Sequence, residues 1–363
     1  INDVVEKNIK IGSIVIRATP IMETLTGLMI AGFIFFSGKL IASGELEVNN
    51  FFSFLAAMML AYQPVRSLAT INMAANQGAA AFKRVLSVID KEVQIKNNPD
   101  SKNLVIKNSD ISFNNVNFKY ENTEEKAIKN INFDIKGNSM AAFVGHSGAG
   151  KSTIINLLPR FYDPQIGNIF IDNQNIQKIK LASLRENLSL VSQDVILFDD
   201  TVKANIAYAK SNASEEEIIK ACEFAAADKF IEKLPQKYDT NIGENGIKLS
   251  GGQKQRATLA RGLIRNAPIL ILDDCFSAVD TETEEHILGE LKRLRQDQTT
   301  LLVSHRVSTA RHADRIVVID AGRIIESGKH DELLANQGYY AELERVQREG
   351  GEEDDLEKLR VGS

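Results

Sequence analysis

The chain has 363 residues, enough for two or three domains, with 43 Lys and Arg against 48 Asp and Glu and a pI near 5.7. That acidic balance argues against nucleic acid as the main partner. Cys222 and Cys275 lie far apart and match no metal or redox spacing; they are expected as small buried residues in a reducing compartment.

Ile1 carries no signal-peptide pattern, and the chain is expected to be an internal piece of a longer protein. The first ninety residues are far more apolar than the rest. Ile21 to Ile41 is an apolar run interrupted by Glu23 and Lys39, long enough for a membrane span of about 20 residues. Residues 42–50 read as a polar turn. A second, shorter apolar run, Phe51 to Val65, carries Gln63 and Pro64. Together they read as a membrane hairpin, with spans at about 20–41 and 50–68; a soluble helical hairpin is the competing reading. Lys7, Lys10 and Arg17 precede the first run, and Arg66, Lys83 and Arg84 follow the second. The turn carries the acids Glu45 and Glu47. The positive-inside bias therefore puts the outer flanks in the cytoplasm and the turn outside. The second helix is expected to continue to about Asp90.

Residues 91–108 are polar and contain Asn97-Asn98-Pro99-Asp100, a linker signal. From Ile111 the pattern changes. Ile111–Phe113 and Val116–Phe118 alternate as short strands, and Met140–Val144, Ile269–Leu272 and Thr300–Val303 are continuous apolar strands after helical stretches. Strands alternating with helices predict a mostly parallel sheet covered on both faces. Residues 346–363 are strongly charged and are expected as a disordered tail.

Gly145-His146-Ser147-Gly148-Ala149-Gly150-Lys151-Ser152 follows an apolar strand and opens a helix, which is the P-loop pattern in its expected context. Glycine lets backbone N–H groups curl around phosphates, and the following helix points its positive end at them. Lys151 is expected to reach the β- and γ-phosphates, and the Ser152 hydroxyl to ligate Mg²⁺. Gly145, Ser147, Gly148, Gly150 and Thr153 complete the phosphate cradle. Ile269–Leu272 runs into Asp273-Asp274. An acid at the end of a buried strand suits the metal, so Asp273 is assigned to Mg²⁺ and Asp274 to general base.

Ser250-Gly251-Gly252-Gln253 has the form of a helix capping box, Ser at the cap and Gln three residues later. The helix predicted after it, Lys254 to Ile264, would aim its dipole outward, and Gly251 and Gly252 would let an anion approach closely. The chain's own P-loop already cradles one set of phosphates. The γ-phosphate at residues 250–253 is therefore expected to belong to ATP on a second subunit.

On these motifs the sequence resembles the ATP-binding-cassette (ABC) transporters of the exporter type over residues 111–345, with the hairpin similar to the last two of six helices in a half-transporter. The resemblance implies an α/β P-loop NTPase in which a mostly parallel sheet carries an antiparallel β subdomain and a helical subdomain. An α-helical transmembrane hairpin precedes it. The expected organisation is residues 1–90 in the transmembrane domain, 91–108 linker, 109–345 cassette and 346–363 tail. It further implies that Tyr120 stacks on adenine, Gln193 touches Mg²⁺ and relays to the membrane domain, and Asp280 bridges two cassettes. His305 would hold the γ-phosphate and attacking water, and Glu244 would lie in the loop sensing the partner's membrane helices. The implied cofactors are ATP and Mg²⁺. The implied partners are a second half-transporter, membrane lipid and a transported lipid, drug or other hydrophobic molecule, with the cassette in the cytoplasm of a multi-pass membrane protein. The family usually has Glu where this chain has Asp274, which fits either a homodimer of modest turnover or the slower site of a heterodimer. Soluble ABC ATPases of DNA repair or translation form the contrasting class; they generally lack a fused hairpin. Two helices enclose no path, so no transport is expected from residues 1–363 alone.

Overall fold

The computed structural model describes residues 2–349 except 122 and 295–296; of the tail expected over 346–363, residues 350–363 lie outside the described residues. The chain divides into two compact units, residues 1–92 and 93–363.

The first unit is two long helices, α1 (Asn2–Ala42) and α2 (Val48–Ile89). Each is longer than its apolar run, and Pro20 and Pro64 both sit inside helix rather than ending it. The turn between them closes through Gly44 at φ +79° and through the Glu45 and Leu46 N–H groups, which both donate to the Leu40 carbonyl. Phe33 of α1 packs against Phe51 and Phe54 of α2, with ring centroids 5.8 and 4.6 Å away. Leu28, Phe35 and Phe36 on α1, and Phe52, Met59 and Leu60 on α2, are exposed. That much bare apolar surface requires lipid or further helices to cover it. Among the described residues, one segment is long and apolar enough to cross a membrane, Pro20–Ala42. The second run, broken by Gln63 and Pro64, falls short of that measure on its own.

The second unit runs in chain order β1 (Ile111–Phe118), β2 (Ile128–Ile135), β3 (Met140–Val144), α3 (Lys151–Leu157), β4 (Ile166–Ile171), β5 (Gln174–Asn175), α4 (Leu181–Glu186) and β6 (Leu188–Val191). Next come α5 (Val202–Ala207), α6 (Glu215–Phe224), α7 (Asp228–Ile231), α8 (Gly251–Leu263), β7 (Ile269–Asp273) and α9 (Thr281–Leu294). It ends with β8 (Thr299–Val303), α10 (Val307–Ala310), β9 (Arg315–Asp320), β10 (Arg323–Gly328), α11 (His330–Ala335) and α12 (Tyr339–Arg348).

One sheet has the order β10-β9-β3-β8-β7-β6, parallel except for β10 at its edge. The other is antiparallel, β2-β1-β4-β5. Every residue of β3, β7 and β8 is buried, which is why these strands read as largely apolar runs. Successive side chains leave opposite faces: Leu270, Leu272, Leu302 and Val318 enter the core under α8, whereas Ile269, Ile271, Leu301 and Val317 enter the core shared with the antiparallel sheet. The two strand segments expected at 111–118 are one strand, bent by register shifts around Asn114–Asn117, with Asn115 at φ +51°. A bulge of this kind interrupts the alternation without ending the strand.

Two boundaries differ from expectation. Residues 91–108, expected as a linker, have no helix or strand, but their C-terminal part is held on the cassette. Leu104 is buried, and the Asp172 carboxylate accepts the N–H groups of Lys107, Asn108, Ser109 and Asp110 at 2.6–3.2 Å. Backbone N–H groups that no helix or strand pairs are here accepted by a single acid on another turn. At the other end α12 passes the expected limit at 345, because Leu343 and Val346 are buried in the main core.

Candidate nucleotide-binding site

In an open parallel sheet, sites form at the carboxyl ends of the strands. Here β3 ends in the P-loop, β7 in Asp273-Asp274, β8 in Ser304-His305, and β6 in Ser192-Gln193. Strand order makes β8 the neighbour of both β3 and β7, so residues distant in sequence converge on one edge.

The P-loop glycines have distinct reasons. A Cβ on Gly145 would stand 2.0 Å from the Ile319 carbonyl oxygen, and one on Gly150 2.8 Å from that of Ala127. Both approach other backbone too closely for a side chain. Gly148 faces open space, but its φ of +80° strains other residues. Lys151 is buried, and its ammonium donates to the Gly145 and His146 carbonyls, the latter at 2.8 Å. Its Nζ lies 3.5 Å from His305 Nδ1. The Ser152 hydroxyl donates to Asp273 Oδ1 at 3.0 Å. Burial pushes the Asp273 carboxyl above its ordinary range, and the neighbouring Asp274 adds to that, against the Ser152 hydrogen bond. A hydroxyl and a carboxylate side by side, with one ammonium in the loop, are the hard oxygen donors and cation that suit a Mg²⁺-bound triphosphate.

Asp274 is half-buried at φ +44°, and its N–H donates to the Val303 carbonyl at 3.1 Å. Its backbone is thus pinned to β8 beside His305. Gln193 is exposed just past β6. The Tyr120 hydroxyl is 3.1 Å from that of Thr153, which joins the end of β1 to the helix after the P-loop. The Tyr120 ring meets Phe118 and Tyr162 edge-on at 4.8 and 5.1 Å. Tyr162, part exposed in this aromatic cluster, gave no signal in the sequence because it lies in no motif.

The turn at 250–253 belongs to a different part of the cassette, the helical group in which α8 packs on α5 and α6. Its capping box is present: the Gln253 N–H donates to Ser250 Oγ at 3.4 Å and the Ser250 N–H to Gln253 Oε1 at 3.0 Å. The helix starts at Gly251, three residues earlier than expected, because the cap satisfies the first turn. Ser250 and Gly251 are exposed. Gly252 has a second reason to lack a side chain: a Cβ there would stand 2.6 Å from the Ala278 carbonyl oxygen. Gln255, buried one turn on, fastens that neighbour, donating to Ser277 Oγ and accepting from the Ala278 N–H, both at 2.8 Å. Asp280, exposed at the end of the same loop, accepts the Thr283 N–H at 2.9 Å and so caps α9. Those bonds to the Thr283 backbone and side chain hold its carboxyl below the usual range. Glu244 is exposed in a short 3-10 turn ahead of residues 250–253, the signature turn. Sequence reasoning missed Gln255, Ser277 and Glu284, which tie these loops together through side chains outside any motif. Cys222 and Cys275 are both buried and free, and burial pushes the Cys222 thiol up to about 12.

The family model for the ABC transporter matches residues 128–277. The ATP-dependent lipid A-core flippase of Syntrophus aciditrophicus (strain SB) is 45% identical over 330 residues, covering 91% of this chain and 55% of that protein. The flippase of Haemophilus influenzae (strain 86-028NP) is 44% identical over 333 residues, 91% of this chain and 56% of that protein. Among solved structures, a bacterial Atm1-family ABC exporter with ATP bound is similar at a TM-score of 0.74 and 38% identity, over 90% of this chain and 57% of that one. This chain spans little more than half the length of these relatives. The P-loop, the capped 250–253 turn and the acid pair all lie within the residues 128–277 that match the ABC transporter model, on a fold similar to that of the exporter.

Proposed function

We propose that this chain is part of an ATP-hydrolysing exporter subunit. The observation that carries the reading is the pairing of a complete phosphate site (Lys151, Ser152, Asp273) with an exposed, capped signature turn on a separate part of the same cassette. One copy's P-loop holds ATP while the partner's signature turn closes over the γ-phosphate. A homodimer and a heterodimer both satisfy this. The substrate proposed is a lipid or other hydrophobic molecule, since the relatives include proteins named lipid A-core flippases. The bare apolar faces of α1 and α2 suit a membrane, and the cassette is proposed to lie in the cytoplasm under an inner membrane.

In this mechanism Lys151 exchanges its carbonyl partners for phosphate oxygens, a gain in charge pairing. Mg²⁺, when bound, supplies charge neutralisation on the phosphates. Ser152 and Asp273 are the residues that would hold it, with Gln193 contributing from the end of β6. Asp274 accepts the proton of the attacking water, and His305 donates to the γ-phosphate. Tyr120 presents its ring to adenine, and Asp280 reaches across to the second cassette. Hydrolysis removes the γ-phosphate that joins the two copies, so the dimer opens and the membrane helices change state.

The short side chain of Asp274 favours a second form of the reading, in which this copy is the slow half of a heterodimer. Cross-linking tests the shared site. Ser147→Cys and Ser250→Cys are placed in different copies of the full-length protein, with native cysteines replaced. A disulfide should form with ATP and not without it. Failure to cross-link with a non-cleavable ATP analogue bound would overturn the shared site.

A further inference from the structure

Residues 304–306 leave β8 and belong to no regular element before α10 begins at Val307. Their backbone groups need partners from elsewhere. The Arg306 N–H turns back to Ser304 Oγ at 3.0 Å. The His305 carbonyl and the Val307 N–H, on either side of Arg306, both go to one side chain. Gln347 Nε2 donates to the His305 carbonyl at 2.6 Å, and the Val307 N–H donates to Gln347 Oε1 at 2.8 Å. A single planar amide thus pairs with this bend as a neighbouring strand would.

The element behind that amide is fixed. Tyr340 and Leu343 of α12 are fully buried. Glu326 of β10 accepts the Tyr339 and Tyr340 N–H groups at 2.5 and 3.2 Å, and the Tyr340 hydroxyl bonds His330 Nδ1 at 2.9 Å. On the other side of the bend, Arg306 donates to Glu284 Oε2 at 3.0 Å and to the Ser277 carbonyl at 3.1 Å. Glu284 is buried and also accepts from the Thr309 hydroxyl. His305 therefore sits in a bend clamped from both flanks, one clamp coming from the last helix of the cassette.

We propose that Gln347 is a positioning residue for His305, so that α12 is part of the hydrolytic machinery without touching nucleotide. This rests on the reading of His305 as the residue that holds the γ-phosphate and water. The ring direction follows from the backbone at 305, and a displacement of about 1 Å at such a group costs on the order of a hundredfold in rate. Loss of one of two clamps should cost less.

The test is ATP hydrolysis by the full-length protein in lipid, comparing wild type, Gln347→Met, His305→Ala and the double variant. Gln347→Met keeps side-chain volume and removes both hydrogen bonds. It should lower kcat by about three- to tenfold with KM for ATP unchanged within about twofold. In the His305→Ala background it should lower kcat no further, because its effect passes through the missing ring. A merely structural role would add the same loss in both backgrounds, and that result overturns the inference, as does a wild-type rate in Gln347→Met. A wild-type rate in His305→Ala would overturn the reading of His305 itself. Should Gln347→Met fail to fold, Gln347→Glu keeps the acceptor for Val307 and sets a carboxylate against the His305 carbonyl. The same loss, confined to the background with His305 present, is then expected, and its absence refutes the proposal.

Discussion

Lengthening Asp274 to Glu is the sharpest test of the catalytic reading. The Asp274 backbone is fastened to β8 by its N–H bond to Val303, so the reach of the carboxylate is set by side-chain length. One added methylene moves the carboxylate outward by somewhat more than 1 Å, and misplacement on that scale is worth on the order of a hundredfold in rate. A tenfold to hundredfold gain corresponds to about 1.4–2.7 kcal/mol of barrier. An opposing effect comes from φ +44°. Asp tolerates that left-handed region better than a longer side chain does, so the variant should lose up to about 1 kcal/mol of folding stability. The two effects separate by assay: the first appears in steady-state ATPase turnover, the second in the thermal midpoint. The expected result is a faster, slightly less stable protein. An unchanged turnover at saturating ATP and Mg²⁺ would refute the argument that side-chain length limits this base.

Gly252→Ala should displace the loop at Ala278, since the new Cβ would sit 2.6 Å from that carbonyl oxygen; ATP-dependent Ser147–Ser250 cross-linking should fall by about tenfold or more while ATP still binds the P-loop. For Asp172, burial raises the carboxyl pKa, but four backbone N–H donors outweigh it and hold the group below its ordinary value of 3.8. Its stabilising contribution is therefore present above about pH 4 and is lost as pH falls through the lower folded value. Asp172→Asn should reduce the urea midpoint at pH 7, and the gap from wild type should close in strong acid; a gap independent of pH would refute the assignment. Phe143→Ala removes a fully buried ring packed edge-on against Phe133 at 5.5 Å and should cost about 3–5 kcal/mol, read as a lower unfolding midpoint.

Much of the chemistry was legible because it depends on local order. A P-loop needs strand, glycines, Lys and Ser in sequence, and 140–152 contains them consecutively. Asp273 follows four apolar residues that could only be a buried strand end, and the capping box at 250–253 is a relation between residues three apart. These signals also gave the sheet type, since β3 and most of β7 and β8 are apolar. α2 ends at Ile89, within a residue of the end expected near Asp90. Apolar runs by themselves do not mark helix ends, because helix continues wherever nothing breaks it, and 2–19 and 69–89 contain no proline.

What the sequence determined by itself, then, is each local device: the phosphate cradle, the acid pair, the signature cap and an apolar hairpin. Only the tertiary structure decided which devices meet. Strand order sets β8 between β3 and β7 and so brings His305 to Lys151 across 154 positions of chain. Long-range packing gave Gly252 its neighbour at Ala278, the segment 107–110 its anchor at Asp172, and the His305 bend its clamp at Gln347. The last two contacts join backbone to a side chain far along the chain. Hydrogen bonds of that kind leave no periodicity and no fixed spacing, so no reading of the sequence in order can find them.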